Sequence, residues 1–226
     1  MFSKYIKEIT IAARHGGGDL EANPRLRTAV ATAKSVNMPA NNIERAIKRG
    51  TGELEGVIYE EVSYEGYAPH GVAVYVECLT DNRNRTGPEV RTIFSKLGGS
   101  IAEPGSVAWQ FERKGIIHVP ASVPEDDIML VALDAGAEDI RAEGEFWTVV
   151  CEATLTAVVR HAIEEAGIEV SSSDLTMLPT SLVELDSADT VKPILRLIDA
   201  LDEHDDVQDV YANFDIPESV LAELDA

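Results

Sequence analysis

Up to Gly50 the apolar positions recur with helical spacing. Phe2, Tyr5, Ile6, Ile9 and Ala13 form one stripe, which predicts a helix over residues 2–14 with Lys4, Lys7 and Arg14 lying away from it. His15-Gly16-Gly17-Gly18-Asp19 ends that helix, because glycine takes the left-handed conformation of a helix stop at no steric cost. Asn23-Pro24 reads as an N-cap with proline at the first helical position. The second helix runs to about Val36 with Leu26, Val30 and Ala33 inward, and Asn37-Met38-Pro39 breaks it. A third helix turns Ile43 and Ile47 inward and Arg45, Lys48 and Arg49 outward, ending at Gly50 and Gly52.

The period then changes. Ile58, Glu60, Val62 and Tyr64 alternate with Tyr59, Glu61, Ser63 and Glu65 as in a strand, and Val72–Val76 is continuously apolar, as in a strand buried on both faces. Thr86-Gly87-Pro88 opens a helix with Val90, Ile93, Phe94 and Leu97 inward, closed by Gly98-Gly99. Val107–Phe111 and Ile116–Val119 read as a hairpin across Arg113-Lys114-Gly115. From 116 to 178 the order is strand 116–119, helix 124–135, strand 138–142, strand 146–151, helix 154–166 and strand 168–178. That βαββαβ order is ferredoxin-like. A strand (182–186), a helix (189–201) and a strand (207–214) follow. The predicted class is α+β multidomain: an N-terminal three-helix module plus two α+β units, one of them ferredoxin-like and inserted into the other. The expected boundaries are 1–55 for the helical module, 56–114 with 180–226 for the discontinuous α+β domain, and 115–179 for the insert.

Charge changes the picture more than composition does. The 226 residues are 45% apolar, ordinary for a globular chain, and no run approaches the length of a membrane span. Net charge is −21, which on the whole repels nucleic acid. Yet residues 1–54 hold nine Lys/Arg against five Asp/Glu, net +4, and the remainder ten against 35, net −25. A basic contact module on an acidic body is one reading, and a solvated helical surface is the other. Met1-Phe2-Ser3-Lys4 leads straight into the amphipathic pattern, so no secretory leader is expected. Cys78 and Cys151 lie in apolar strand-like runs and are expected to be buried, reduced thiols, which points to the cytoplasm.

Catalytic patterns are missing. His15, His70, His118, His161 and His204 are scattered without metal-site spacing, and nothing resembles a Walker loop or a nucleophile elbow. Gly16-Gly17-Gly18 leaves a helix with no strand before it, the wrong order for a phosphate loop. Glu60-Glu61 and Asp205-Asp206 read as solvated edge charges. The candidate contacts to nucleic acid are therefore cations: Lys4, Lys7, Arg14, Arg25, Arg27, Lys34, Arg45, Lys48 and Arg49 of the module, then Arg83, Arg85 and Arg91 on a turn and the helix after it. Guanidinium groups can fork onto phosphates or base edges. Equally, Arg83 or Arg85 can pair with a neighbouring acid in a local turn. No recognition-helix signature is evident.

Several stretches, taken together, are similar to the YebC/PmpR family, which includes the mitochondrial translational activator of cytochrome c oxidase subunit I. They are Ala22-Asn23-Pro24-Arg25-Leu26-Arg27, Asn37-Met38-Pro39, Asn42–Gly50, Tyr64-Glu65-Gly66-Tyr67, Val76–Thr86, Gly105-Ser106-Val107 and Asp206–Phe214. The resemblance covers essentially the whole chain. It implies a three-domain, crescent-like α/β protein with an insert in its second domain. It also implies no cofactor, no catalysis and no small-molecule substrate. The implied partner is DNA, as a probable transcriptional regulator, or the ribosome and its RNA, as a translation factor that relieves stalling. Members usually carry a further basic arm ahead of the helix that here starts at Phe2. A chain lacking that arm is expected to hold polyanions more weakly and with a shallower salt dependence.

Overall fold

The structure is a computed structural model and describes residues 2–224. Three helices come first: α1 (Ser3–Gly16), α2 (Pro24–Ser35) and α3 (Ala40–Gly50). Strands β1 (Glu60–Tyr67) and β2 (Ala73–Thr80), helix α4 (Arg83–Lys96) and strand β3 (Ser100–Ile101) follow. Next come β4 (Phe111–Pro120), α5 (Glu125–Asp134), β5 (Ala137–Glu143), β6 (Phe146–Glu152), α6 (Thr156–Glu165) and β7 (Ser172–Pro179). The chain ends with β8 (Val183–Glu184), α7 (Ala188–Asp202), β9 (Val207–Ala212), β10 (Phe214–Asp215) and α8 (Glu218–Leu224). Two compact units result, one of residues 1–108 with 182–226 and the other of residues 109–181.

In the first unit the helical module has its own core: Ile9, Ala13, Leu26, Val30, Ala33 and Ile43 come from the stripes that the 3.6-residue period marks out, and Ala12, Ala46 and Met38 of the α2–α3 connection join them. Asn23 joins two helices. Its Oδ1 accepts from Leu26 N at 3.1 Å to cap α2, and its Nδ2 donates to Ala12 O and Gly17 O at the end of α1. Gly50 lets α3 end tight against α1, since a Cβ there would collide with the Thr10 carbonyl oxygen and the Ala13 side chain. The rest of the unit is a four-stranded antiparallel sheet, β3-β1-β2-β9, with α4 and α7 packed on it through Val74, Val76, Val90, Phe94, Ile194 and Leu197. Strands β8 and β10 form a parallel pair.

The second unit is the ferredoxin-like one. Its sheet has the order β5-β6-β4-β7, and Ile117, Val119, Val149 and Cys151 meet Ile128 and Ala132 of α5 and Val159 and Ile163 of α6. Here the expected hairpin across Arg113-Lys114-Gly115 is absent, because β4 runs unbroken from Phe111 to Pro120. Gly115 serves a close approach rather than a turn: a Cβ there would collide with Thr156 Oγ1 and stand 2.9 Å from Cys151 Sγ. Gly115→Ala is accordingly expected to cost about 1–3 kcal/mol by overpacking, measurable by urea unfolding.

Two further expectations are corrected. Helix α4 starts before Thr86: the Asn82 side chain accepts from Arg85 N at 3.2 Å, so the cap lies four residues before Thr86 and Pro88 lies inside the helix. The Asp81–Asn84 segment is therefore a helix start, and Arg83 and Arg85 belong to its first turn. Helix α8 closes the chain beyond the last predicted strand. Cys78 and Cys151 are buried free thiols as expected, and burial pushes the Cys78 thiol up to about 12. No helix among the described residues is long and apolar enough to cross a membrane.

Candidate nucleic-acid interface

The twelve candidate cations fall into two groups. Several are held by the protein's own carboxylates. Lys7 is the clearest: it lies off the apolar stripe of α1, yet it is 7% exposed and ion-paired with Asp206. Its outward placement is therefore corrected. Helix α1 buries one face in the helical module and turns another onto the α7–β9 loop. There Lys7 Nζ also donates to Asp205 O at 2.8 Å, Lys4 pairs with Asp202 at 2.9 Å and Ser3 Oγ donates to Asp205 at 3.1 Å. Arg25 forks onto Glu8 at 2.7 and 3.1 Å and reaches Glu61 of β1 at 2.7 Å. Lys48 pairs with Glu44 one turn back at 2.6 Å. Arg85 meets Asp206 at 2.7 Å and Asp81 at 3.0 Å, and Arg83 lies 3.9 Å from Glu60.

Asp206 is the centre of this network and not the solvated edge charge that its sequence position suggests. It is 1% exposed. One carboxylate oxygen faces Lys7, while the other accepts from Arg85, from Thr86 Oγ1 at 2.6 Å and from Thr80 Oγ1 at 3.3 Å. Burial works against its charge, but the bonds from Lys7, Thr86 and Arg85 outweigh it and hold the carboxyl well below its usual range. The β2–β9 pairing, with its irregularity at Glu77/Cys78, sets this residue in place, and Leu79 N donates to Asp206 O at 2.8 Å. A cleft of about 810 Å³ opens beside it, lined among others by Tyr59, Arg85, Glu89, His204 and Asp206. Glu89, His204 and Asp206 have ligand atoms within 4.8 Å of one another. They fit a metal poorly. His204 Nδ1 accepts from Asp206 N at 3.1 Å, its Nε2 is 3.0 Å from Glu89, and Asp206 is already filled by cations and hydroxyls.

Arg14, Lys34, Arg45, Arg49 and Arg91 form the second group, and none has an acidic partner among the described residues. Arg27 donates to the Leu20 and Glu21 carbonyl oxygens, which leaves its charge uncompensated. Last-turn cations close all three module helices, Arg14 in α1, Lys34 in α2 and Lys48 with Arg49 in α3, where they complement the helix dipole. Gly50 packs against the Arg14 backbone, so the Arg14 and Arg49 ends of α1 and α3 meet. Arg45 lies one turn before Arg49 on the same face of α3. Arg91 is exposed on α4, away from this cluster in sequence.

A second buried carboxylate escaped the sequence reading. Glu65 of β1 is 6% exposed and accepts from the backbone N–H groups of Gly105 and Val107, both at 2.6 Å, and of Ala108 at 2.8 Å. Burial alone would raise its pKa, but the three N–H bonds pull it below the ordinary value. Its signals in the sequence are two of the family-like runs, Tyr64-Glu65-Gly66-Tyr67, which contains it, and Gly105-Ser106-Val107, which supplies two of its donors.

Residues 1–53 match the TACO1/YebC protein N-terminal domain, and residues 59–214 match the TACO1/YebC second and third domain. The chain is 56% identical to a probable transcriptional regulatory protein of Sulfurihydrogenibium sp., over all of this chain and 90% of that one. It is equally identical to a protein of the same description from Rubrobacter xylanophilus, over 99% of this chain and 90% of the other. The crystal structure of a conserved hypothetical protein from Aquifex aeolicus superposes with a TM-score of 0.85 at 48% identity, covering 97% of this chain and 91% of that one. The chain belongs to the TACO1/YebC family.

Proposed function

We propose that this protein is a non-enzymatic, cytoplasmic regulator of gene expression that binds duplex DNA through the helical module. One observation carries the reading: in a chain of net charge −21, the module keeps Arg14, Arg27, Lys34, Arg45 and Arg49 without an acidic partner among the described residues. Such cations displace counterions from phosphates and supply affinity without reading bases. The relatives described as probable transcriptional regulatory proteins support the same direction. The non-enzymatic part is supported by the cleft, where Lys7, Arg85 and Thr86 hold the buried carboxylate ionised and well below the range of a general acid or base working near neutral pH.

Lys4, Lys7, Arg25, Arg85 and Lys48 are weaker contacts in this reading, since a phosphate would have to displace a carboxylate from each. The test uses Arg45→Glu with Arg49→Glu, measured by fluorescence anisotropy on a labelled duplex at low salt. The double variant is expected to bind at least about tenfold more weakly while its melting temperature stays within about 2 °C of the parent. Unchanged binding would remove the module from the interface, and stronger binding to structured RNA than to duplex would move the function to translation.

A further inference from the structure

Helix α5 of the ferredoxin-like unit has two apolar faces. One, with Ile128 and Ala132, is buried against the sheet. The other consists of Met129, Leu130 and Leu133, which are 38%, 76% and 45% exposed. They form a seam bounded at each end by a carboxylate: Asp126, Met129, Leu130, Leu133 and Asp134 follow the i, i+3, i+4, i+7, i+8 spacing of a helix–helix contact and line one shallow depression. The Asp126 and Asp134 carboxylates have no hydrogen-bond or ion-pair partner among the described residues. Asp126 sits in the first turn, where the helix dipole favours it, but Asp134 sits in the last, where the dipole opposes a negative charge. The fold therefore gains nothing from the acid at that end. Residues 109–181 hold 14 Asp/Glu against four Lys/Arg, so the surroundings reinforce the sign.

We propose that this seam docks a basic amphipathic helix of a partner protein, with apolar residues on Leu130 and Leu133 and cations on Asp126 and Asp134. Those two carboxylates are eight residues apart, so the matching cations stand about two turns, or about 12 Å, apart along the partner. Helix-in-groove recognition of this kind draws its affinity from the apolar anchors and its orientation from the flanking charges. The inference is independent of the nucleic-acid reading, because it concerns the other compact unit.

The probe is a fluorescein-labelled synthetic helix of Leu and Lys in amphipathic order, titrated with the full chain. A scrambled peptide of the same composition and a Leu/Glu helix serve as controls. Saturable binding of the amphipathic Leu/Lys helix alone is expected, weakened about tenfold or more by Leu130→Asp and also weakened by Asp126→Lys with Asp134→Lys. Leu130→Asp is decisive because it adds negative charge: pure electrostatic attraction would leave binding unchanged or stronger, which overturns the proposal. Equal binding of the scrambled peptide overturns it too. Should sedimentation show a dimer of the parent chain that Leu130→Asp dissolves, the occupant is a second copy and the partner assignment is wrong.

Discussion

Replacing Asp206 with alanine is expected to destabilise the protein by about 3–5 kcal/mol, read as a lower midpoint in urea unfolding. The carboxylate is buried, and so is its partner Lys7. Removing one partner leaves an ammonium desolvated and unpaired, which costs more than the pair itself contributes. Thr80 and Thr86, whose hydroxyls are 2.7 Å apart, would also lose their common acceptor. Adding Lys7→Met to Asp206→Ala is expected to recover a substantial part of the loss, because methionine has no charge to strand. A double variant as unstable as the sum of the two singles would mean that the two groups do not act as a pair. The effect depends on pH in a defined direction. The folded-state pKa of Asp206 lies below that of an unfolded aspartate, near 3.9, so its contribution is complete above that value and erodes as pH falls below it. The parent is expected to lose stability on acidification faster than the Asp206→Ala variant.

Glu65→Ala is the second large effect, expected at about 3 kcal/mol or more. Three backbone N–H groups, of Gly105, Val107 and Ala108, lose their acceptor together; the buried Val107 donor left unsatisfied costs about 1–3 kcal/mol, and the partly exposed Gly105 and Ala108 donors add less each because water can reach them. Because these bonds fix residues 105–108 against β1, amide exchange in that segment should accelerate locally. Glu65→Gln should recover part of the loss, since its carbonyl oxygen still accepts. An exchange pattern identical to that of the parent would show that the loop is held by other contacts. Glu65 shares the sign of Asp206: its pKa is depressed, so its support fades as pH drops below the ordinary glutamate range.

These two residues also mark where reading the chain stops. Periodicity located the helices of the module, the βαββαβ order and the late strand–helix–strand, since each depends on local spacing and on which face meets a core. It placed Lys7 in solvent because Lys7 lies off the stripe of its own helix, and the second neighbour of that helix is a loop 199 residues away. Alternation in β1 gives Glu65 a face but not the three N–H groups that come back to it from beyond residue 100. Arg113-Lys114-Gly115 resembles a turn in composition, and only the Thr156 hydroxyl packed against Gly115 shows why a strand needs glycine there. Thr86-Gly87-Pro88 misled in the same way: proline usually opens a helix, but the Asn82 side chain had already capped this one. The basic character of the module was legible as a count. Which of its cations are free was not, because that depends on tertiary partners such as Asp202, Asp206 and Glu61.

The central claim, that free module cations meet nucleic-acid phosphates, is tested most directly by the salt dependence of duplex affinity. The logarithm of the association constant should fall linearly with the logarithm of salt concentration, with a slope of about −0.9 per phosphate neutralised. Arg45→Glu with Arg49→Glu should make that slope shallower by about 2. A slope that the double variant leaves unchanged, or a duplex that does not bind even at about 50 mM salt, would contradict the account.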